Sequence, residues 1–472
     1  MIFALVGAWV VYLFLNHLGT SPLENWDEAF YADGIRAMVR SHNFIIPSWN
    51  QAVFVDKPPL YYWLGSISVS LFGLSEWAIR LPSVLAAIIT VYLCGWYMWR
   101  RFGIVPALVT LMVLISNGLY IYRSRGANLD AVATLWIVVS FLLIQQKSRY
   151  MPIWFGLCIG LLYLTKASLS YYLIPIFIAH TLNSYMYHKP INEYAKFVLV
   201  QITLFFISAA VLPILWLASA YYANGLSFVS YFLFSSDQGT ARLSLSHMNL
   251  SYLGYMRESV GVWFGFVAIG GYLMMMRDIR KYLTTLLYGT VLFAMLSFSK
   301  VYANWYLLPV FPFVAIEAGY AAKQLLEKCV RSKSQALSIS ISCLVVSGVL
   351  LQHVRLYNRI IRPVFINHST SNQKLTAEYA QRITRADESI VRLDDLYPAA
   401  IYYSDRKVIV SKKNADYTNH MYITRDTLVK RMGTSGLRVI LGKSDDITRV
   451  FEKFGRGTIV YKSGDEAVGV IE

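Results

Sequence analysis

Apolar runs separated by short polar gaps fill the chain from residue 2 to about residue 353, after which short alternating stretches and turns take over. A helix that crosses a bilayer needs roughly 20 mostly apolar residues. About eleven segments fit, approximately 2–18, 80–99, 104–121, 129–145, 151–165, 168–186, 197–221, 258–276, 282–298, 304–322 and 336–353. The pattern predicts an α-helical polytopic membrane protein. An odd number of crossings puts the termini on opposite sides, and lysine and arginine in short loops mark the cytoplasmic face. Arg100 and Arg101, Lys147 and Arg149, Lys189 and Lys196, Arg277 with Arg280 and Lys281, and Lys328 with Arg331 and Lys333 occupy alternate loops. The expected protein sits in the cell inner membrane with a cytoplasmic N-terminus. Segment 2–18 reads as the first span rather than a signal peptide, since no basic residue precedes it and no small-residue cleavage site follows.

The outer face then receives loop 19–79, YRSRGANLD (122–130), LTKAS (164–168), loop 222–257, SKVYANW (299–305) and the tail. Within the first loop, residues 27–40 and 59–72 carry helical patterns that are short, and they are expected to lie in the interface rather than to span. From about residue 354, β-like runs (SIVRL, AAIYYSDRKVIV, MYIT, LRVIL, GTIVY, AVGVI) mix with helical TAEYAQRIT and DTLVKRM. That mixture predicts a small extracytoplasmic α/β domain over 354–472, following a transmembrane domain over 1–353.

Composition agrees with a membrane protein: the 472 residues are 56% hydrophobic and 15% charged, against roughly 25% charged in soluble proteins. The net charge of +16 would suit nucleic acid, yet the basic residues are spread between apolar segments, and no nucleic-acid partner is expected. The four cysteines form no CxxC pair, so neither a disulfide framework nor a zinc site is indicated. Acidic residues are uneven: of the 13 in residues 1–353, six fall in the first outer loop, namely Glu24, Asp27, Glu28, Asp33, Asp56 and Glu76. Polar chemistry collects on the outer face.

Carboxylates beside lipid are costly and tend to mark function. In NWDEAFYADG, Asp27 and Glu28 are adjacent helical positions that diverge by about 100°, so one is expected to act while the other holds the site. Tyr31 lies on the Asp27 side, one turn on. Glu24 and Asp33 read as solvated acids that complement a helix start. In VDKPPLYYW, Pro58 holds Lys57 extended and Pro59 suits a first helical turn. The Lys57 ammonium beside open helix N–H groups makes an anion site, with Tyr61 just inside the helix. Arg125 and Asp130 of SRGANLD are five apart, so either a non-helical turn aims both inward or they form a plain ion pair. Lys166 and Lys300 stand at outer helix ends, where the inside-positive bias disfavours cations. Converging on one cavity, such cations neutralise a phosphate, and Tyr302 and Tyr306 line a sugar or lipid beside them. Arg242, near Asp237 in the second long loop, is a weaker candidate, and His42 and His247 are too isolated to suggest a metal.

Taken in order, DEAFYADG, DKPPLYYW, SRGANLD, LTKAS and SKVYANWYLLPVFP resemble the large-fold (GT-C) membrane glycosyltransferases that use lipid-linked sugars, the aminoarabinose transferase and protein O-mannosyltransferase branch. The resemblance covers residues 20–315 and is weak in the tail. It implies inverting transfer of a sugar from a polyprenyl phosphate, such as undecaprenyl phosphate, to an envelope acceptor: lipid A, another glycan, a lipid or a protein. It also implies that Asp27 is the catalytic or site-organising aspartate, Glu28 its acidic neighbour, Lys57 the donor-phosphate lysine, and Arg125 with Asp130 the outer-turn pair. Ala29 and Phe30 stand where the family often has Arg or Pro, and Asp237 to Arg242 departs from its usual acidic-His-Arg run. No cofactor beyond the lipid-linked donor is implied, and no pattern calls for a divalent metal. The competing class is a transporter or lipid flippase for an anionic glycolipid. Such proteins place charges at the midplane on broken helices and often show inverted repeats; here the charges gather at one face and no repeat is visible.

Overall fold

The computed structural model describes residues 2–54, 57–146, 148–185, 191–234, 248–299, 303–332, 351, 354, 371–393, 397–412, 422–431 and 437–471. The chain divides into two units, one of Met1–Leu18, Val55–Leu64 and Arg80–Ile366, the other of Gly19–Phe54, Gly65–Ile79 and Asn367–Glu472. The second unit thus combines the tail with most of the first outer loop, which the sequence assigns to the transmembrane domain.

Helices fill the first unit: α1 (Ile2–Leu15), the bulk of α4 (Glu76–Phe102), α5 (Ile104–Ile115), α6 (Gly118–Arg125), α7 (Asp130–Ile144), α8 (Met151–Tyr185), α9 (Ile191–Phe234), α10 (Ser251–Val260), α11 (Phe264–Ser297) and α12 (Phe311–Ser332). Before α12, residues Asn304–Val310 form a tighter 3₁₀ turn. Among the described residues five helices are long and apolar enough to cross a membrane, or six if α5 and α6, bent by 64°, count as one. Several expected boundaries move. Segments 258–276 and 282–298 join within continuous α11, so Arg277, Arg280 and Lys281 lie inside a helix rather than in a loop. Arg and Lys are good helix formers, and neither Gly nor Pro interrupts that stretch. Segments 151–165 and 168–186, in contrast, keep their expected break: α8 is two helices that meet at a kink at Lys166 (φ −150°, ψ 91°). Of segment 336–353 only residue 351 is among the described residues. Small residues permit close packing in this unit: a Cβ on Gly270 of α11 would stand 1.9 Å from the Glu317 carbonyl of α12.

The second unit is built on a six-stranded sheet, β3 (Ile390–Leu393), β4 (Val408–Lys412), β5 (Tyr422–Thr424), β6 (Val439–Lys443), β7 (Thr458–Ser463) and β8 (Glu466–Val470), in the order β5-β4-β3-β6-β8-β7. Pairs β5/β4, β4/β3 and β3/β6 are parallel, and β8 is antiparallel to both neighbours. Helices α13 (Asn372–Ile383) and α14 (Pro398–Ser404) pack with Ile390, Val439 and Leu441, whereas α15 (Arg425–Arg431) and α16 (Ser444–Phe454) pack with Val391, Leu393 and Ile440. Alternate residues of β3 and β6 therefore bury on opposite faces. AAIYYS, read from sequence as strand, is helical α14. Pro398 pre-sets its first turn, and all seven of its residues are buried.

From the first loop this unit takes α2 (Asp27–Ser41), the hairpin β1 (Ser48–Trp49) and β2 (Ala52–Val53), and the later part of α3 (Leu60–Phe72). Asn50 and Gln51 take φ of 51° and 61° in the hairpin turn, the double positive φ of a type I′ turn. Gly65 is required where α3 meets α2, because a Cβ there would stand 2.2 Å from Ile35 Cδ1.

Candidate functional site

In the first unit the junction between α6 and α7 gathers the charges. Asn128 Oδ1 accepts the Asp130 N–H at 3.0 Å, and its amide donates to the Gly126 carbonyl at 3.0 Å. This is an Asx turn that starts α7 and fixes Asp130 as its first residue. Asp130 is buried and binds two cations: Oδ2 accepts from Arg123 Nε and Nη2, both at 3.0 Å, and Oδ1 from Lys166 Nζ at 2.8 Å. Lys166 reaches it from the one residue of α8 with non-helical dihedrals. Aromatic faces complete the cluster, with the Arg123 guanidinium 4.8 Å from the Trp305 ring centroid and Lys166 Nζ 4.3 Å from that of Tyr306. Two cations share one carboxylate, so the cluster carries a net positive charge among rings.

Arg125 is not the partner of Asp130. Residues two apart on a helix point about 200° apart, and with Arg123 turned to Asp130, Arg125 donates to the carbonyls of Leu13 (2.5 Å), Phe14 (3.1 Å) and Asn16 (2.7 Å). Arg80 adds a bond to the Leu18 carbonyl at 2.8 Å. These arginines satisfy the open carbonyls at and just past the end of α1 and oppose its negative dipole end. Arg123, Asn128 and Trp305 escape the sequence reading, although the helical period allows only one of Arg123 and Arg125 to face Asp130.

Lys57 is half-buried, and Pro59 closes the first turn of α3 by accepting the Trp63 N–H at 3.0 Å. Tyr61 is fully buried. Its hydroxyl lies 3.0 Å from Ser83 Oγ, which donates to the Asn128 carbonyl at 2.7 Å. Ser83 thus links the DKPPLYYW segment to the turn that carries Asp130. Lys300, Tyr302 and Arg242 lie outside the described residues. Among the described residues no three His, Cys, Asp or Glu side chains assemble as a metal-ligand group.

In the second unit Asp27 is half-buried at the first position of α2, and Glu28 is buried with Oε2 accepting the Glu24 N–H at 2.7 Å. Glu28 braces the helix start. The residue before Asp27, Trp26, has φ 76° and ψ −109°, a backbone state that side chains other than glycine avoid and that clusters at functional sites. Tyr31 is buried. Asp33, read from sequence as a solvated acid, is buried in an ion pair with Arg36 and accepts the Asn50 N–H at 2.9 Å. Tyr403 Oη accepts the Leu23 N–H at 2.7 Å and donates to Glu76 Oε1 at 3.1 Å. Burial pushes the phenols of Tyr402 and Tyr403 up, so both stay protonated and Tyr403 keeps the proton it donates to Glu76.

Residues 56–216 match the family described as dolichyl-phosphate-mannose-protein mannosyltransferase. The undecaprenyl phosphate-alpha-4-amino-4-deoxy-L-arabinose arabinosyl transferase of Aeromonas salmonicida is 33% identical over 170 residues, 33% of this chain and 30% of that protein. The alignment thus spans about a third of the relative's length. The crystal structure of ArnT from Cupriavidus metallidurans bound to undecaprenyl phosphate superposes with a TM-score of 0.79 at 16% identity, covering 99% of this chain and 97% of that one. The archaeal oligosaccharyltransferase AglB from Archaeoglobus fulgidus gives a TM-score of 0.60 at 11% identity, covering 93% and 69%. The chain has the polytopic fold of these membrane glycosyltransferases, and the resemblance drawn from its sequence is borne out.

Proposed function

We propose that the chain is a glycosyltransferase that takes a sugar from a polyprenyl phosphate donor of the undecaprenyl type and delivers it, with inversion, to an envelope acceptor on the outer face of the membrane. The observation that carries this reading is the Arg123–Asp130–Lys166 cluster, in which two cations share one buried carboxylate beside two aromatic rings. When the bond between the anomeric carbon and the phosphate oxygen breaks, the lipid phosphate leaves with an added negative charge. Preorganised cations stabilise that charge as it develops. Lys166 and Arg123 supply them, and Lys57 adds a third from a segment tied through Ser83 to the same turn. Arg125 is left to cap α1.

Transfer to a hydroxyl requires a base, and Asp27 is assigned that role because it opens α2 behind a strained Trp26 while Glu28 is engaged in holding the turn. The acceptor oxygen attacks the anomeric carbon opposite the leaving phosphate, its proton passes to Asp27, and the configuration inverts. For an acceptor phosphate already ionised at pH 7 no base is needed, and Asp27 then orients the nucleophile. The similarity to an undecaprenyl phosphate-aminoarabinose transferase favours an undecaprenyl phosphate donor. A polytopic membrane domain and an outer-facing C-terminal domain are part of the proposal.

The test is mass analysis of lipid A and other envelope glycans from cells with and without the gene, together with an Asp27→Asn variant. The expected result is a glycan that disappears in the deletion, returns with the wild-type gene and stays absent with Asp27→Asn at equal protein level. Unchanged glycans in the deletion overturn the reading.

A further inference from the structure

The second unit carries a bracket around Asp27 that the reaction scheme leaves unused. Ahead of Asp27, the backbone N–H of Leu23 donates to Tyr403 Oη at 2.7 Å, and Asn25 Oδ1 accepts the Ala399 N–H at 3.3 Å. Behind it, the buried Arg36 guanidinium pairs with Asp33 and donates to the Tyr402 carbonyl at 2.5 Å. The same group stands 3.1 Å from Asp405 Oδ1 and 5.0 Å from the Tyr402 ring centroid. Arg40 binds both Asp405 oxygens at 2.6 and 2.7 Å. The hairpin adds a further tie: Asn50 Oδ1 accepts the Val408 N–H at 2.8 Å, while its amide donates to the Val408 carbonyl at 2.9 Å.

Every one of these tail groups lies between Ala399 and Val408, the corner where α14 ends and β4 begins. The partners on the other side span only Leu23 to Asn50. We infer that this corner of the C-terminal domain positions the acidic start of α2, with Arg36 and Asp405 as the positioning residues. The inference rests on the assignment of Asp27 made above. Asp405 has φ 54°, a conformation glycine adopts without penalty and other side chains adopt reluctantly. Aspartate tolerates this conformation better than most side chains, and here its carboxylate reaches both Arg40 and Arg36. The strained Trp26 lies inside the bracket, and strain of that kind persists only where the surroundings fix the chain on both sides.

The experiment uses the full chain in lipid nanodiscs, with hydrogen exchange read by mass spectrometry and turnover of a polyprenyl-phosphate sugar. Asp405→Gly removes the carboxylate while easing the backbone, so a residue of merely structural value in the turn would tolerate it. Peptides covering residues 23–36 should exchange about tenfold faster, since charge-assisted hydrogen bonds are lost, while those over β3 and β6 and the thermal midpoint hold. The kcat should fall about tenfold with KM for the donor within about twofold, as expected of a displaced reactive group rather than lost binding. Asp405→Asn keeps an acceptor oxygen and should fall between. Arg36→Ala should match or exceed Asp405→Gly, and Arg36→Lys should recover part of the loss. Unchanged protection of residues 23–36 in both Asp405→Gly and Arg36→Ala overturns the inference, and so does faster exchange with kcat intact. A wild-type protein that transfers no sugar would defeat the functional reading, while the exchange measurement still decides the anchoring by itself.

Discussion

Lys166 Nζ stands 2.8 Å from Asp130 Oδ1 although 36 residues separate them in the chain. The contact forms because α8 departs from helical dihedrals at Lys166 and nowhere else along its length. It makes Lys166 a cation held in place before any ligand arrives. Lys166→Met should therefore weaken polyprenyl phosphate binding by about tenfold to a hundredfold, the loss expected when one partner of a buried charge cluster is truncated. Lys166→Arg should keep part of the affinity, because a guanidinium retains the charge and can stack on the Tyr306 ring. Lipid phosphate affinity in nanodiscs measures both.

Asp130→Asn leaves Arg123 and Lys166 facing each other across a buried space without their shared carboxylate. Breaking such a pair costs about 3–5 kcal/mol, and the thermal midpoint should fall accordingly. The double variant Asp130→Asn with Lys166→Met removes one of the two repelling cations. It should be less destabilised than the two single variants added together, by about 1–3 kcal/mol. Strict additivity would mean that the two side chains do not interact.

Arg123 and Arg125 separate binding from stability. Arg123→Ala should cut donor affinity about tenfold or more, since it removes one of the two cations on Asp130. Arg125→Ala should leave that affinity within about twofold and lower the thermal midpoint, because it strips donors from three carbonyls at and just past the end of α1. The reverse pattern would restore Arg125 as the donor contact expected from the sequence.

The contrast between these two arginines shows what the chain reveals before folding. Apolar runs locate the helices, because burial in lipid demands apolar residues at every turn, and YLTKAS marks a break at Lys166. Which of two arginines faces inward depends on a rotation of α6 that packing sets, and SRGANLD contains both. The amphipathic α16 is legible in its pattern: Ser444 starts it, Asp445 and Asp446 occupy its first turn, and Ile447, Val450, Phe451 and Phe454 recur at helical spacing. Gly455 ends it at φ 83°, where only glycine is at ease. AAIYYS misleads because its β-branched and aromatic residues suit a strand, and the buried site chosen by Pro398 overrides that preference. The ties between Leu23–Asn50 and Ala399–Val408 bridge more than 350 residues of sequence, and no local pattern announces pairings of that range.

Trp26 offers a way to tell strain from packing at the start of α2. Its backbone, at φ 76° and ψ −109°, is open to glycine, and holding a tryptophan there costs about 1–3 kcal/mol. The side chain is 59% exposed, so its removal forfeits little buried area. Trp26→Gly relieves the strain at the expense of about 1 kcal/mol of chain entropy, and the thermal midpoint should hold or rise. If the strain serves to fix Asp27, the same substitution frees the segment just ahead of it and turnover should drop several-fold, because misplacement of a reactive group by about 1 Å can cost a hundredfold. A stabilised variant with lowered kcat is the signature of strain kept for function. Full turnover in Trp26→Gly would show that the strained residue has no part in placing Asp27.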